Sequence, residues 1–332
     1  MGDILHSLPA VTALRHAHPD WTIGWAIEPQ WRGLFCANAC EPRTPGMPLV
    51  DRLHMVPAKQ WARRPLSPAT WKDMARVRRE VRAMRYDAAV ELQGAVRAAI
   101  VARWARTGRI VGETQPRERP ARWLFNERVE TRGVHVIEQS VEVANAIAGD
   151  DLPIPLPLLP RDPEADRRAE ELSQPLVLLS PGAGWGAKRW PAERYGLVAR
   201  RLAQEGFHVV VNSGPAEEHL ALEIARSSGG AATTLTLNMA ELIAVTRRAA
   251  LAIAGDTGPL HLASALGKPV VGIFGPTDPA RNGPFHCCSR VLRHPESVRD
   301  HTRRSEPEAG LLTITAEDVT AAALDLLRET RS

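Results

Sequence analysis

The sequence predicts an α/β protein built from two doubly wound domains that face each other across a cleft. Three observations favour this fold class. Short apolar or β-branched segments alternate with helical stretches, which is typical of parallel sheets with crossover helices. The length of 332 residues exceeds what one hydrophobic core usually organises. A proline-rich segment between the halves, DLPIPLPLLPRDPEAD, is incompatible with a long helix or a central strand and therefore indicates a linker.

These observations place a first domain at residues 1–150, a linker region at 151–175 and a second domain at 176–332 that ends in a helix. The predicted strands are TIGWAIE and DAAVELQ in the first domain, and LVLLS, HVVVNS, LAIAG and PVVGIFG in the second. The stretch WKDMARVRREVRAMR is predicted to be a helix whose apolar face carries Trp71, Met74, Val77, Val81 and Met84. Its arginine-rich faces are expected to meet either solvent or an anionic acceptor or membrane surface.

The composition is that of an ordinary globular protein, with 44% apolar and 24% charged residues. Residues 1–150 hold 22 Lys and Arg against 16 Asp and Glu, so the first half is basic and indicates an acidic partner. No binding motif and no aromatic interleaving points to nucleic acid. We expect a cytoplasmic protein, because no apolar run reaches the roughly 18 residues of a membrane span and no secretory leader is recognised. The four cysteines lack zinc spacing and are expected to be free thiols.

One candidate site follows the predicted strand LAIAG. Asp256 and Thr257 come directly after the strand, and Gly258 and Pro259 suit the cap and first position of a helix. The unpaired N–H groups and the positive dipole end of such a helix favour a diphosphate. Asp256 would repel a phosphate and therefore suits sugar hydroxyls, whereas His261 can donate to a phosphate oxygen or a hydroxyl. The alternative is an ordinary strand-to-helix turn with a partly buried histidine.

A second candidate site lies in the segment GAGWGAKRWP. Gly182, Gly184 and Ala187 have the GxGxxA spacing of a dinucleotide-binding loop, which would indicate a dehydrogenase. Pro191 would then lie inside the first turns of the helix. We expect instead that Pro191 begins a late helix and that the loop projects Lys188 and Arg189 into the cleft. A lysine there can neutralise a leaving diphosphate.

A third candidate site lies in NSGPAEEHLALEIA, where Glu217 and Glu218 open a predicted helix. Acidic side chains in a first turn usually only complement the helix dipole. Because the helix follows the carboxyl end of a strand, Glu218 can also accept hydrogen bonds from a ribose.

Five separated segments together resemble glycosyltransferase family 9, the bacterial lipopolysaccharide heptosyltransferases. They are MGDILHSLPA, YDAAVELQG, GAKRWPAERY, SGPAEE and GDTGPLHLASALGKPVVGIFGPTDP. Within the family, the WAIE and YDAAVELQGAVRAA segments are most similar to heptosyltransferase I. The resemblance implies a GT-B fold of two Rossmann-like domains with the sugar donor held by the second. It also implies inverting, metal-independent transfer of heptose from ADP-heptose to Kdo of the lipid A inner core. No cofactor is implied, and the location would be cytoplasmic with peripheral contact to the anionic inner membrane.

The resemblance also implies roles for individual residues, carried over by position. The catalytic positions are Asp3, matching the family's proposed general base, and Lys188, matching the lysine on the donor phosphates. The donor-binding positions are Gly184, Lys188, Glu218, Asp256, Thr257, Gly258 and His261. The acceptor-binding positions are Arg63, Arg64, Arg117 and Arg119. No metal ligand is implied, and the sequence contains no Asp-x-Asp pair.

In this family the GDILHSLPA helix follows a buried strand, the first of the amino-terminal sheet. Here the sequence begins at that turn. Either the start of the protein lies upstream and Met1 is an internal methionine, or the sheet lacks a central strand. We expect the first, and a chain that includes the upstream strand to melt at a higher temperature. Three alternatives stay open: a heptosyltransferase II or another nucleotide-sugar transferase of the family, a nucleotide-sugar epimerase that needs no acceptor, and a catalytically silent binding protein.

Overall fold

The computed structural model describes residues 1–38, 40–214, 217–300 and 305–330. The chain forms two compact units. One is His6–Pro160, called here the amino-terminal unit, and the other joins Met1–Leu5 to the chain from Arg161 onward, called here the carboxy-terminal unit. The division between Pro160 and Arg161 falls inside the proline-rich segment, where proline prevents regular structure from continuing.

The amino-terminal unit is an α/β unit whose described strands form two parallel sheets, β1–β2 and β3–β4–β5. Its elements are α1 (Gly2–Ala17, which begins in the other unit), β1 (Gly24–Ile27), β2 (Arg52–Met55), α2 (Ala58–Arg63), α3 (Pro68–Ala83), β3 (Ala88–Val90), α4 (Val96–Trp104), β4 (Arg109–Glu113), β5 (Glu127–Val129) and α5 (Val136–Ala148). The predicted strands TIGWAIE and DAAVELQ are confirmed as β1 and β3. The strand expected ahead of Met1 stays a prediction.

The predicted arginine-rich helix is confirmed as α3, but its buried face differs from the prediction. Val77 and Val81 are buried, whereas Trp71 is 59% exposed. Residues 70, 77 and 81 share one face at 3.6 residues per turn, so Thr70 takes the inward position in the first turn. Trp71, one residue further on, is rotated by about 100° away from that face. The prediction that Trp71 belongs to the apolar stripe is therefore wrong.

The cysteines of the amino-terminal unit also differ from the prediction. Cys36 and Cys40 form a disulfide, with their Cα atoms 5.9 Å apart, whereas Cys287 and Cys288 are free. That Cα separation is the usual one for a disulfide. The expectation of four free thiols is therefore wrong for Cys36 and Cys40.

The carboxy-terminal unit is built on one six-stranded parallel sheet in the order β11-β10-β9-β6-β7-β8. Its elements are α6 (Pro163–Glu170), β6 (Leu176–Ser180), α7 (Ala192–Gln204), β7 (His208–Asn212), α8 (Glu218–Ser227), β8 (Ala232–Leu235), α9 (Met239–Arg248), β9 (Leu251–Gly255), α10 (Gly258–Ala265), β10 (Val270–Phe274), α11 (Pro279–Asn282), β11 (Ser289–Arg293), α12 (Ala309–Thr313) and α13 (Ala316–Glu329). The four predicted strands of this half are confirmed as the four central ones. Each is almost entirely buried, as expected for parallel strands covered on both faces.

The strand order of this sheet reverses between β6 and β9. The chain leaves β6 towards β7 and β8, then returns to β9 on the other side of β6. In open parallel sheets, ligands bind outside the carboxyl ends of the strands at such a reversal. The segments that follow β6 and β9 are therefore the first place to look for a site. In the described part of the chain, no helix has both the length and the apolar character needed to cross a membrane.

Candidate functional site

An ion-paired cluster of Lys188, Asp256 and His261 lies where the strand order reverses. Lys188 ends a short 3₁₀ turn in the loop after β6, Asp256 follows β9, and His261 lies in the first turn of α10. The Lys188 ammonium is ion-paired with Asp256 Oδ2, and Lys188 Nζ also donates to the Asp256 carbonyl oxygen at 3.2 Å. His261 Nε2 lies 3.0 Å from Asp256 Oδ1. Three residues chosen from the sequence thus form one connected group.

The cluster is buried, and its carboxylate is held in the ionised form. Asp256 is 6% and His261 7% exposed. Burial alone would raise the pKa of Asp256, but the hydrogen bonds and charges of His261 and Lys188 outweigh it and hold that pKa well below its usual range. Lys188 Nζ also lies 4.4 Å from the centre of the Trp185 ring, a cation–π distance. The expected repulsion between Asp256 and a phosphate is therefore weakened by two compensating neighbours.

The start of α10 provides backbone donors beside this cluster. Thr257 is the N-cap, and Gly258 and Pro259 are the first two helical residues, one position earlier than the sequence predicts. The Thr257 hydroxyl donates to the Gly255 carbonyl at 3.2 Å and makes no capping hydrogen bond within the described residues. The first N–H groups of a helix have no intrahelical acceptor. Pro259 has no N–H group and His261 N donates to the Thr257 carbonyl at 3.3 Å, so the donors at the start of α10 are Gly258 N and Leu260 N.

Met1 and Gly2 pack against the same motif, within the carboxy-terminal unit. A Cβ atom built on Gly2 would lie 3.0 Å from His261 Cδ2, and the Met1 side chain occupies the position that a Cβ atom on Gly258 would need. Asp3 is the next residue, in the first turn of α1, and its side chain is exposed. Residues 1–3, which include the predicted general base Asp3, thus lie beside the start of α10, which is the predicted donor-binding motif.

The carboxylate beside the ends of β6 and β7 belongs to Glu217 rather than Glu218. A Cβ atom on Gly182 would overlap the Glu217 carboxylate, and Gly214 N donates to Glu217 Oε2 at 3.4 Å. Glu218 is the exposed first residue of α8. Gly182 and Gly214 have no side chains and so leave room for the Glu217 carboxylate. These two glycines are the feature of the sequence that could have indicated Glu217. Gly184 differs from them, because a Cβ atom there would meet nothing within 4 Å.

Two buried polar residues at the same edge of the sheet are missed by sequence reasoning. Asn212 ends β7 and Thr277 lies shortly after β10; they are 8% and 3% exposed. Asn212 Oδ1 and Thr277 Oγ1 have no hydrogen-bond partner among the described residues. Buried polar atoms are rarely left unpaired, so this edge can accommodate a polar ligand. In the same described ranges, no group of three or more His, Cys, Asp or Glu side chains is arranged to hold a metal ion.

The predicted acceptor residues lie in two places in the amino-terminal unit. Arg63 and Arg64 are exposed at the end of α2 and line a surface pocket. The other residues that line it are Glu28, Pro29, Gln30, Pro57, Lys59 and Gln60. Arg117 and Arg119 are exposed in the segment after β4. A Cβ atom on Gly94 would lie 2.5 Å from Arg117 N, so this segment packs on the loop that follows β3.

Glu91 organises that loop and was not singled out from the sequence. It is 3% exposed, and its carboxylate accepts hydrogen bonds from Gln93 N at 2.9 Å, Gly94 N at 2.8 Å and Ala95 N at 3.4 Å. Burial raises the pKa of Glu91 to about 7, although the three backbone donors oppose the shift. Glu118 N in turn donates to Gly94 O at 2.8 Å. Glu91 therefore fixes the backbone on which the Arg117 segment rests.

Residues 74–310 match the model of glycosyltransferase family 9 (heptosyltransferase), and the chain belongs to this family. It is therefore a glycosyltransferase. The family recognised from the five sequence segments is thereby confirmed.

Individual relatives cover most of the chain. The lipopolysaccharide heptosyltransferase 1 of Pseudomonas aeruginosa is 27% identical over 299 residues, which are 86% of this chain and 79% of that protein. The lipopolysaccharide heptosyltransferase 1 of Escherichia coli K12 is 26% identical over 309 residues, 89% of this chain and 91% of that protein. A solved structure, the E. coli heptosyltransferase WaaC with ADP, matches with a TM-score of 0.80 at 23% identity, covering 98% of this chain and 97% of that one. The predicted GT-B fold class is confirmed.

Proposed function

We propose that the chain transfers L-glycero-D-manno-heptose from ADP-heptose to a Kdo residue of the lipid A inner core. The transfer inverts the anomeric carbon and needs no metal ion. Membership of the family and the names of the relatives support the reaction class. The observation that carries the proposal is the Lys188–Asp256–His261 cluster at the strand reversal, beside the start of α10.

In this mechanism the leaving ADP is stabilised by Lys188 and α10. An ammonium group has three N–H donors, and Lys188 directs two of them at Asp256. The third is available to a diphosphate oxygen, and the N–H groups of Gly258 and Leu260 at the start of α10 add further donors. Donors fixed before the reaction stabilise charge as it develops, which is the part a metal ion plays in other transferases.

Asp3 acts as the general base. The acceptor hydroxyl attacks the anomeric carbon from the face opposite ADP, the bond from that carbon to the diphosphate oxygen breaks, and the hydroxyl proton passes to the Asp3 carboxylate. The position of Met1 and Gly2 against Gly258 and His261 supports this role. Base catalysis of this kind contributes a factor of about 10²–10⁴ in rate.

Donor ribose is bound by a glutamate at the start of α8, and acceptor anions by arginines of the other unit. Glu217 fits the ribose role better than Glu218, because its carboxylate lies at the ends of β6 and β7. The acceptor carries the Kdo carboxylate and lipid A phosphates, which match the guanidinium groups of the four predicted arginines. These are Arg63, Arg64, Arg117 and Arg119. The enzyme would act at the cytoplasmic face of the inner membrane.

Mass spectrometry of Kdo-lipid A incubated with ADP-heptose tests the proposal. We expect a gain of one heptose, and a rate at least about a hundredfold lower for Asp3→Ala. Asp20→Ala is the matched control, because Asp20 is also an exposed aspartate of the amino-terminal segment. Calorimetry with ADP should give the same affinity for all three proteins.

Other outcomes contradict defined parts of the proposal. An undiminished rate in Asp3→Ala, with ADP still bound, rules out Asp3 as the base. Conversion of the donor sugar without acceptor indicates an epimerase. Transfer only to an acceptor that already carries heptose indicates a heptosyltransferase II.

A further inference from the structure

The surface formed by α2, α3 and their connection, residues 58–85, is strongly basic. It contains nine Lys and Arg against two acidic residues, Asp73 and Glu80. Both acidic side chains are ion-paired with Arg76, so they leave the other cations of the surface uncompensated. Arg78 and Arg79 are exposed on the same helix. The surface therefore has a net positive charge and attracts anions.

The arginines are crowded as well as numerous. Desolvation and the charges of Arg106 and Arg78 lower the pKa of Arg82. Residues 71, 75, 78 and 82 share one face of α3 at 3.6 residues per turn. Arg78 and Arg82 therefore lie in line with Trp71 and repel each other, and an anionic partner would relieve this repulsion.

Two large apolar side chains stand out from the same surface. Leu66 is 89% and Trp71 is 59% exposed. Ser67 is the N-cap of α3, so Leu66 and Trp71 hold the positions that often pack together at a helix start. Such packing would cover both side chains, but Leu66 is almost fully exposed. Packing at the start of α3 therefore does not account for the exposed Leu66 side chain.

We propose that the α2–α3 surface docks on an anionic lipid bilayer, with Leu66 and Trp71 inserted among the headgroups and the arginines on the lipid phosphates. Leucine and tryptophan beside a basic face are the combination that binds bilayer interfaces, and each Lys or Arg near an anionic surface adds to the attraction. Nucleic acid would use the cations but would leave Leu66 unexplained. The inference deepens the proposed function, in which the acceptor is a lipid, and rests on it only for the location of the enzyme.

Co-sedimentation with vesicles tests the role of charge without any acceptor present. The probe is a vesicle of equal parts phosphatidylethanolamine and phosphatidylglycerol. We expect the wild-type chain to bind, and Arg78→Glu with Arg79→Glu to bind at least about 30-fold more weakly, from roughly fivefold per lost arginine, with the two introduced carboxylates adding repulsion. Arg201→Glu with Arg226→Glu is the matched control, because it reverses two exposed arginines of the other unit. That control should bind as the wild type does.

A second pair of variants tests the apolar contact. Leu66→Ser with Trp71→Ser should weaken binding at least about tenfold, since each side chain buries apolar area in the headgroup region. Leu197→Ser with Leu222→Ser replaces two side chains that are 47% and 57% exposed in the carboxy-terminal unit, and it should bind normally. All substituted positions are on the surface, and unchanged melting curves will show that each variant is folded.

The inference is overturned if the wild type does not sediment with these vesicles, or if test and control variants bind alike. Equal binding to vesicles of uncharged phosphatidylcholine would also overturn it. Binding to a DNA duplex without binding to vesicles would overturn it as well. Heptose transfer to a water-soluble Kdo acceptor is measured in parallel. A wild-type chain that transfers heptose to this soluble acceptor but does not bind vesicles would contradict the docking surface alone. A wild-type chain that binds vesicles but transfers no heptose would contradict the proposed function alone.

Discussion

Removing the Lys188 ammonium should destabilise the carboxy-terminal unit strongly. The side chains of Lys188 and Asp256 are 12% and 5% exposed, so the ion pair is buried. Among the described residues, Lys188→Met leaves the Asp256 carboxylate with His261 as its remaining side-chain partner. Breaking a buried pair by removing one member costs about 3–5 kcal/mol, because an uncompensated charge stays in a desolvated place.

A double variant separates the charge effect from lost packing. In Lys188→Met with Asp256→Asn the buried charge is gone and the amide can still bond to His261. We expect this variant to lie only about 1–2 kcal/mol below the wild type, and therefore above Lys188→Met alone. Lys268→Met is the control, since Lys268 is half-buried in the same unit, forms no ion pair among the described residues, and burial already lowers its pKa. It should cost little.

Native-state hydrogen exchange of the β6 and β9 amides is the appropriate assay. A chain of two units need not unfold in one step, and the exchange of central-strand amides reports the opening of this unit alone. The folded-state pKa of Asp256 lies below its value in the unfolded chain, so its stabilisation is present above about pH 4 and is lost as the pH falls. Lys188→Met should move that loss to higher pH. A cost below about 1 kcal/mol, or a double variant no more stable than the single one, would refute the buried ion-pair reasoning.

Two further predictions concern glutamates. Glu217→Gln should weaken ADP binding about tenfold or more in calorimetry, from the loss of a charged hydrogen-bond acceptor, whereas Glu218→Gln should leave it nearly unchanged. The reverse order would favour Glu218, the residue predicted from the sequence, over Glu217. Burial raises the pKa of Glu91 from 4.5 to about 7, so the stabilisation it gives is fully present below pH 4.5 and is lost as the pH rises through about 7. The unfolding free energy of the wild type minus that of Glu91→Gln, from urea titrations, should therefore fall by about 3 kcal/mol between those pH values; a constant difference would contradict the burial of an ionisable carboxyl.

In the carboxy-terminal unit, the strands predicted from the sequence are those whose own composition demands burial. β6, β7, β9 and β10 are nearly continuous apolar runs, because parallel strands in the middle of a sheet are covered on both faces. β8 (ATTL) and β11 (SRVLR) lie at the two edges of the same sheet and are only partly buried. Because of their polar residues, these two segments are not predicted from the sequence to be strands. What makes them strands is hydrogen bonding to β7 and β10, the strands that precede them in the chain. The connections contain α8 and α11, so a local sequence pattern does not show this pairing.

In the candidate site, too, some features follow from the local sequence and others from contacts between distant parts of the chain. Thr257, Gly258 and Pro259 could be assigned to a helix start because capping is local in sequence. The pairing of Lys188 with Asp256 joins residues 68 positions apart, and it follows from the strand order, which the sequence alone does not reveal. The choice between Glu217 and Glu218 depends on the direction of two adjacent side chains at a helix start. A one-residue shift there is within the ordinary uncertainty of a helix boundary.

The two anionic ligands proposed for this chain are bound by different physics. At the donor site the Lys188 charge is matched by Asp256, so ADP would be held by donors at short range, from one ammonium N–H and the start of α10, in a place shielded from water. On the α2–α3 surface most of the arginines are exposed, and Arg76 is the one that the described residues ion-pair, so attraction to a bilayer acts over about 8–10 Å and is screened by salt. Raising the ionic strength should therefore release the chain from the bilayer well before it weakens ADP binding. An enzyme arranged in this way keeps its nucleotide affinity whether or not it is on the membrane, and only its access to a lipid acceptor depends on the surface charge.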